Sequence, residues 1–378
     1  KNRIHSIKNL QKEEKMKKKL LAGICMATVL LLSGCGTNEK VSNETSTQVT
    51  TAKEIQETTT VAPLVIGDNP STEEISHEGM IKSKLTGEWV DPEKGNRRPV
   101  AIMLNNIKEA IPQSAIEKAD IIYEAPVEGG ITRLMGIYEN FDDLDKIGSV
   151  RSSRLYYCYF AKEFDAVYVH WGQAIYAQDL LNSSSIDNLN GLELEGSTFF
   201  RSSDRVAPHN GYTSGDRLLA GIEKKGYRKE YPSDYKQKFL FSEEEVTLAD
   251  GVSAKKVTLG YAVNQPWFEY QESDGLYYRY QYGTKQVDKE TGNQIAYKNI
   301  IMQNVDYYDY GDGYYYIYTT GSGKGKYITN GKAIDITWKK DSEFGVTRYY
   351  DTSGKEITLN PGKTWVCIIQ NAGKVSIE

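Results

Sequence analysis

Apolar positions fall into three regimes along this chain. The first is an unbroken run of thirteen residues, Leu20 to Leu32, set between Met16-Lys17-Lys18-Lys19 and Ser33-Gly34-Cys35. Such a run is too short to cross a bilayer. With a basic flank before it and small residues after it, it reads as a secretory signal. Small residues directly before a cysteine are the lipoprotein form of the cleavage site. The pattern therefore predicts a signal over 1–34 and a mature chain that starts at Cys35, its thiol diacylated. Residues 1–15 precede the start-like Met16 and take no part in the fold reasoning.

The second regime is polar. From Gly36 to Glu88 there is no Phe, Trp or Tyr, and Thr, Ser, Glu and Lys dominate. A segment of this kind buries too little apolar surface to offset its ordering entropy. It predicts a disordered tether over 35–88, with a short ordered piece around 86–92 joining the folded part. Fifty flexible residues span about 40 Å on average, enough to hold a domain away from a membrane.

The third regime is periodic, and it changes character once. From 89 to about 240, short apolar runs alternate with helical patterns. Val100–Leu104, ending at Asn105-Asn106, reads as a buried strand. Residues 120–123 and 133–138 read as strands joined across Gly129-Gly130, and 166–170 as another. Helices are predicted over 155–164, 174–181 and 215–225. From 244 to 378 the period is two, in runs such as Tyr277–Tyr280 and Tyr314–Tyr318, punctuated by Asp250-Gly251, Asp274-Gly275 and Ser353-Gly354. The expected fold is an α/β N-terminal domain (89–240) followed by a mostly antiparallel β (α+β) C-terminal domain (244–378). Gly321-Ser-Gly-Lys-Gly-Lys326 lacks the spacing of a phosphate loop, with Tyr327 where Ser or Thr belongs. It reads as a turn.

Charge narrows the partners. Residues 1–34 hold eight of the 46 basic and two of the 51 acidic residues, so the chain from Cys35 carries a net −11. That excludes the basic surface a nucleic-acid partner requires. It also excludes electrostatic adhesion to anionic lipid, leaving the acyl chains on Cys35 to hold the protein on the extracytoplasmic face of the cell membrane. Of four cysteines, Cys25 falls in the signal and Cys35 takes the lipid. Cys158 and Cys367 are expected as buried free thiols, with a disulfide between them as the alternative. Nineteen of the 28 tyrosines lie after residue 230. Half-buried sheet positions with hydroxyls in water explain that density, while exposed rings for sugars or peptides are the rival reading.

Candidate chemistry concentrates in the first domain. His170 ends a predicted strand and His209 lies in Ala207-Pro208-His209-Asn210. Arg151 and Arg154 precede a predicted helix, and Glu124, Glu128 and Arg133 lie at strand ends. Carboxyl ends of strands converge on one crevice in open α/β sheets, so these groups can meet. Arg151, Arg154, Arg205, His209, Asn210, Asn105 and Arg133 are the expected ligand-binding residues; His170, His209, Glu124 and Glu128 are the candidates for acid/base work. The competing reading is structural: hydrogen-bonded histidines, and arginines paired with Glu124 or Glu128 in a buried network. No nucleophile elbow or zinc-helix motif occurs. Cys158 reads as packed core, no ligand spacing supports a metal, and no cofactor is expected.

Five ordered segments resemble the DUF3048 lipoproteins of Gram-positive bacteria. They are Arg98-Pro-Val-Ala-Ile-Met-Leu-Asn-Asn106, Tyr123-Glu124 with Glu128-Gly-Gly-Ile-Thr-Arg133, Ile147-Gly-Ser-Val-Arg151-Ser-Ser-Arg154, His170-x-Gly172 and Ala207-Pro-His-Asn210. The stretch ending Asn360-Pro-Gly-Lys-Thr-Trp365 is similar to that family's second domain. The resemblance implies a membrane-anchored, two-domain extracytoplasmic protein and supplies no catalytic residues. Trp171, inside the His-x-Gly motif, is a bulky choice that narrows any pocket there. The expected activity is binding of an anionic wall polymer, a small polar metabolite or another polar envelope ligand. The alternatives are a cell-wall hydrolase or transferase using His209 or His170, and a scaffold that recruits a membrane protein.

Overall fold

Four strands of the first half are built from short apolar runs, Val100–Leu104 (β1), Ile121–Pro126 (β2), Thr132–Tyr138 (β3) and Val167–His170 (β4), and the polar-flanked Asn188–Asn190 (β5) joins them. β1 to β4 are buried along their whole length, as strands are when both faces of a sheet are covered. β1 lies between β3, antiparallel, and β4, parallel; β2 flanks β3 and β5 flanks β4. Helices Leu155–Lys162 (α1) and Ile175–Leu181 (α2) cover one face, packing Tyr157, Phe160 and Ala177 against Ala101, Met103 and Tyr168. Helix Gly215–Lys225 (α3) covers the other, with Leu218 and Ile222 against the side of Val100 and Ile102. The computed structural model describes residues 77–370 and 375–378. The signal run, Cys35 and most of the predicted tether lie outside the described residues.

The second half adds Val252–Ser253 (β6), Lys256–Thr258 (β7), Trp267–Gln271 (β8), Leu276–Gln281 (β9), Asn299–Val305 (β10), Tyr307–Asp309 (β11), Tyr315–Ile317 (β12), Gly321–Thr329 (β13), Lys332–Lys340 (β14), Arg348–Tyr350 (β15) and Thr364–Gln370 (β16). β13 and β14 turn at Asn330-Gly331, both with positive φ, the hairpin chemistry this dipeptide favours. β16 then runs parallel to β10 on one side and to β2 on the other. The result is one mixed sheet in the order β6-β14-β13-β10-β16-β2-β3-β1-β4-β5, with β15 on β14. A small antiparallel sheet, β9-β8-β7, lies over the α3 side of this sheet. Its Phe268 meets Trp365 of β16 with ring centres 5.6 Å apart. The architecture is α/β in the first half and mostly antiparallel β in the second.

Two ionic nodes hold the halves together inside. Glu124 and Arg279 are fully buried and 2.7 Å apart; Asn264, Thr132 and Trp365 also donate to that carboxylate. Glu163, just past α1, is bound by Lys238 of the connecting segment and by Lys340 of β14, 2.6 Å away, with all three side chains fully buried. Burial alone raises the Glu163 carboxyl, but the two lysines outweigh it and hold it at about 2.

Two details differ from the expectations above, the start of order and the 321–326 segment, and one, the state of the cysteines, agrees. Order begins before residue 86: Ile81–Lys82 pairs with Trp89–Val90, and Leu85 is fully buried. A few apolar anchors suffice there because Gly87 admits Phe241 against its Cα. Gly321–Lys326 is not a turn but the first part of β13. Its alternate glycines sit where a Cβ at 323 meets the Trp338 ring and one at 325 meets the Met302 carbonyl. Cys158 and Cys367 are buried free thiols, and burial pushes the Cys158 pKa up to about 12.

Candidate functional site

The segment after strand Ile147–Gly148 is threaded across the carboxyl ends of β1 and β4 by main-chain bonds. Asn105 N–H donates to Ser149 O, Arg151 N–H to Met103 O, Trp171 N–H to Arg151 O and Ser153 N–H to Gly172 O. This lacing fixes where Arg151 and Arg154 project. The turn at Gly129-Gly130, both glycines with φ near +70°, returns the chain so that Glu128 and Arg133 face the same place. Such φ values suit glycine and few other residues.

Arg133, Arg151 and Arg154 meet there around one carboxylate. Arg154 grips Glu128 with both arms of its fork, Nε to Oε2 at 2.9 Å and Nη2 to Oε1, and donates to Ser153 O at 2.8 Å. Arg133 donates to Ser152 O at 2.6 Å and lies 4.0 Å from Glu128. Burial and then the Arg154 charge pull its pKa down to about 10. Arg151 makes one exposed contact, Nη1 to Pro208 O at 3.1 Å, and its buried Nε has no partner. Burial and the nearby Arg154 lower its pKa too. Three guanidinium groups thus share Glu128, whose carboxyl is held low by Arg154 against the effect of burial. Tyr314 lies beneath the Arg154 guanidinium, 5.1 Å from it. A cavity of about 230 Å³ is lined by Pro126, Gly130, Tyr261, Tyr307 and Tyr315, with neither Glu128 nor any of the three arginines in its wall.

His209 joins from the 202–210 loop. Its Nδ1 lies 2.9 Å from Asn105 Nδ2; since an amide nitrogen only donates, Nδ1 accepts and the ring carries its proton on Nε2. Burial and then the Arg151 charge lower its pKa, favouring the neutral ring. Asn210 is turned aside, accepting from Arg201 at 3.0 Å.

Other predicted site residues are placed elsewhere. His170 is fully buried, with Nδ1 on Gly172 O and Nε2 on Asn188 Oδ1; no ring nitrogen is left for a substrate. Glu124 does not meet Glu128: β2 ends at Pro126, Glu128 lies in the turn beyond it, and Glu124, on the face of Ile122, points inward to Arg279. Arg205 is a loop brace, its two Nη atoms donating to the carbonyls of Glu109, Ile111 and Pro112 while its buried Nε has no partner. Trp171 fills space instead of lining a pocket, its ring pressed on the Cα positions of Gly191 and Gly211. Sequence reasoning missed Tyr314 as a neighbour of the cluster. The aromatic hairpin Asp309-Tyr-Gly-Asp-Gly-Tyr314 was the available signal.

A cavity of about 630 Å³ lies at the other end of β2, by Asp120, Glu117, Lys298 and Lys363. None of the predicted residues reaches it. Its donors are largely engaged, Lys363 on Glu117 O and Lys298 on Asn330 Oδ1.

Comparison with known proteins agrees with this architecture. Residues 85–228 match the model of the "Protein of unknown function (DUF3048) N-terminal domain", and 257–366 that of the corresponding C-terminal domain. A Bacillus subtilis protein named "Putative lipoprotein YerB" is 33% identical over 301 residues, covering 79% of this chain and 89% of that protein. The crystal structure of YerB from Bacillus subtilis superposes with a TM-score of 0.70 at 32% identity, over 78% of this chain and 99% of that one. Matched in both halves and along most of its length, the chain belongs to the DUF3048 family.

Proposed function

We propose that this is a lipid-anchored extracytoplasmic binding protein whose arginine cluster takes an anionic envelope ligand. The observation that carries the reading is charge imbalance at an accessible place. Arg133, Arg151 and Arg154 act on one another and share the single carboxylate of Glu128. A surplus of fixed positive charge on an otherwise acidic chain focuses an anion to one spot. Arginine forks suit phosphate or carboxylate oxygens. His209 Nε2–H adds a neutral donor. The anchor on Cys35 is supported by the signal pattern and by the name of the Bacillus subtilis relative.

Binding is favoured over hydrolysis or group transfer by the histidines. His170 has both nitrogens engaged, and His209 already accepts at Nδ1, so neither presents a basic nitrogen for proton removal.

Thermal unfolding of residues 35–378 carrying Cys35→Ser, with inorganic phosphate, citrate and glycerol-phosphate polymer, tests this. A ligand at 100 times its Kd adds about 2.7 kcal/mol, a rise of several degrees. The rise is expected in the parent and in His170→Gln if that variant folds, and is lost in Arg151→Ala. No shift with any of these anions, or a shift that survives Arg151→Ala, would refute the proposal.

A further inference from the structure

Three parallel strands at the centre of the large sheet begin side by side. Asn299 of β10 pairs with Thr364 of β16, and Thr364 with Ile121 of β2. A charged residue stands one position ahead of each, so Lys298, Lys363 and Asp120 form a row along the amino ends of these strands. Main-chain bonds tie the row together, Asn299 N–H to Lys363 O and Thr364 N–H to Asp120 O. All three residues line the cavity of about 630 Å³, with Glu88 of the N-terminal hairpin, Glu117 and Tyr278 of β9 around them. Segments from both halves of the chain meet there, a common setting for small-molecule sites.

Hydrogen bonding in this wall is one-sided. Lys298 donates to Asn330 Oδ1 at 2.6 Å and pairs with Glu245 at 3.3 Å, and Lys363 donates to Glu117 O at 2.7 Å. The amide nitrogen of Asn293 is spent on Glu117 Oε1, that of Gln294 on Arg279 O, and the Tyr278 hydroxyl on Asp274. The carboxylates are served far less. Asp120 accepts one main-chain N–H, from Glu139 at 2.7 Å. Glu117 is held by the neutral donors Thr291 and Asn293. Glu88 has no side-chain hydrogen bond or ion pair among the described residues, and none of the three carboxylates has a lysine or arginine at ion-pair distance.

That imbalance decides what the cavity suits. Three carboxylates stand against two lysines, one of which already meets Glu245, so the wall carries a negative excess. An anion would find both cations tied and the carboxylates beside them. A metal ion needs its ligands in one tight group, and no set of three His, Cys, Asp or Glu among the described residues provides it. A cation that carries its charge on N–H groups both offsets the excess and brings the donors that the oxygens lack. Asp120 shows the shortfall: burial, only partly offset by the Glu139 N–H, raises its carboxyl to about 7. Leu276, Ala296 and Pro361 add apolar surface for a short carbon body.

We propose that this cavity is a second binding site, for a small organic ammonium ion, with Asp120 and Glu88 as its acceptors. The site does not depend on the arginine cluster, which lies beyond the carboxyl end of β2 and selects the opposite charge. An alkyl ammonium keeps its charge well above neutral pH, as a lysine side chain does. The charged groups that face Asp120 are Glu139 beyond β3, Glu88, Glu117 and Lys363, and the neutral phenols of Tyr138 and Tyr297 stand near it. Ionised Asp120 is the form that receives the ligand.

The test is calorimetric titration of residues 35–378 (Cys35→Ser) with 1,4-diaminobutane, 1,4-butanediol and succinate, three four-carbon chains that differ in charge. The diamine is expected to bind, and the diol and the dicarboxylate are not. At pH 8, Asp120→Asn is expected to weaken the diamine about tenfold, as loss of a charged hydrogen bond does. Glu88→Gln, at an exposed position that leaves the fold intact, is expected to weaken it about threefold. In the parent, affinity should rise about tenfold from pH 6 to pH 8 as the Asp120 carboxyl ionises, and the rise should be absent from Asp120→Asn. The inference is overturned if the diamine fails to bind, if the diol or succinate binds as well as it does, or if both variants bind like the parent. Arg151→Ala is expected to bind the diamine unchanged; a loss there would overturn the inference by moving the ammonium to the cluster. Anion-induced stabilisation is read separately, so either proposal can fail alone.

Discussion

Two clusters in this protein share a recipe, one carboxylate among an excess of cations, and put it to opposite use. Glu163 lies between Lys238 and Lys340, all three sealed from water. The rings of Phe239 and Tyr349 stand 5.5 and 5.4 Å from the Lys238 ammonium. Glu128 lies among Arg133, Arg151 and Arg154, but its side chain is 35% exposed and one guanidinium is held by a single exposed carbonyl contact. Surplus charge by itself therefore says little about function. What separates the two is whether the surplus has internal partners and whether solvent can reach it.

The comparison breaks first in stability. Glu163→Gln leaves two buried ammonium groups without their counter-ion, and breaking a buried pair costs about 3–5 kcal/mol. Glu128→Gln at the open cluster should cost about 1 kcal/mol, since a partly exposed pair is screened by water. Urea denaturation midpoints at pH 7 measure both. Equal losses would mean the two clusters are the same kind of structure.

Acid sharpens the contrast. The Glu163 carboxyl sits at about 2 in the folded chain, below its ordinary value of about 4.3. A depressed carboxylate contributes stability that is fully present above the ordinary value and is lost as pH falls through about 2. The gap between wild type and Glu163→Gln should therefore be widest above pH 5 and close on approach to pH 2. A pH series of denaturation midpoints shows this, and a gap that stays constant sinks the assignment.

The Glu124–Arg279 node gives the next effect. Arg279 lies between the Trp365 and Phe268 rings at 4.1 and 5.0 Å. Glu124→Gln or Arg279→Met alone strands a buried partner, while the double variant strands neither. A double-mutant cycle should return a coupling of about 2 kcal/mol; a coupling near zero would show that the amides around Glu124 carry the carboxylate without Arg279.

How much of this was legible depends on the distance over which each feature is encoded. β1, α1 and α3 follow from local periodicity and appear where the pattern puts them. The alternate glycines at 321, 323 and 325 already carried the period of a strand. Alternation along β2 also carries the fate of Glu124, which shares its face with Ile122. The insertion of β16 between β2 and β10 has no local signal, because Trp365 pairs with Ile122 across most of the folded chain. Arg205 was unreadable for the same reason: the carbonyls that its Nη atoms reach lie more than 90 residues upstream. Arg133, Arg151 and Arg154 were readable as candidates because the turns around them lie close in sequence. Their pairing with a single carboxylate was not.

The smallest expected effect is the most telling. Truncating Arg151 to alanine removes one hydrogen bond to Pro208 O, worth about 0.5–1.5 kcal/mol in general and less at an exposed contact. It also relieves an unpartnered buried Nε, together with the burial and then the Arg154 repulsion that lower its pKa. These terms oppose each other. Arg151→Ala should then match wild type within about 0.5 kcal/mol, the range of a surface substitution. In dilute buffer it should gain slightly, because the Debye length of about 30 Å at 0.01 M leaves the repulsion unscreened. In 0.5 M salt that gain should vanish. Paired melts at the two ionic strengths decide it. A loss above about 2 kcal/mol would make Arg151 a structural strut, as Lys238 is, and the open cluster would then be a second closed one.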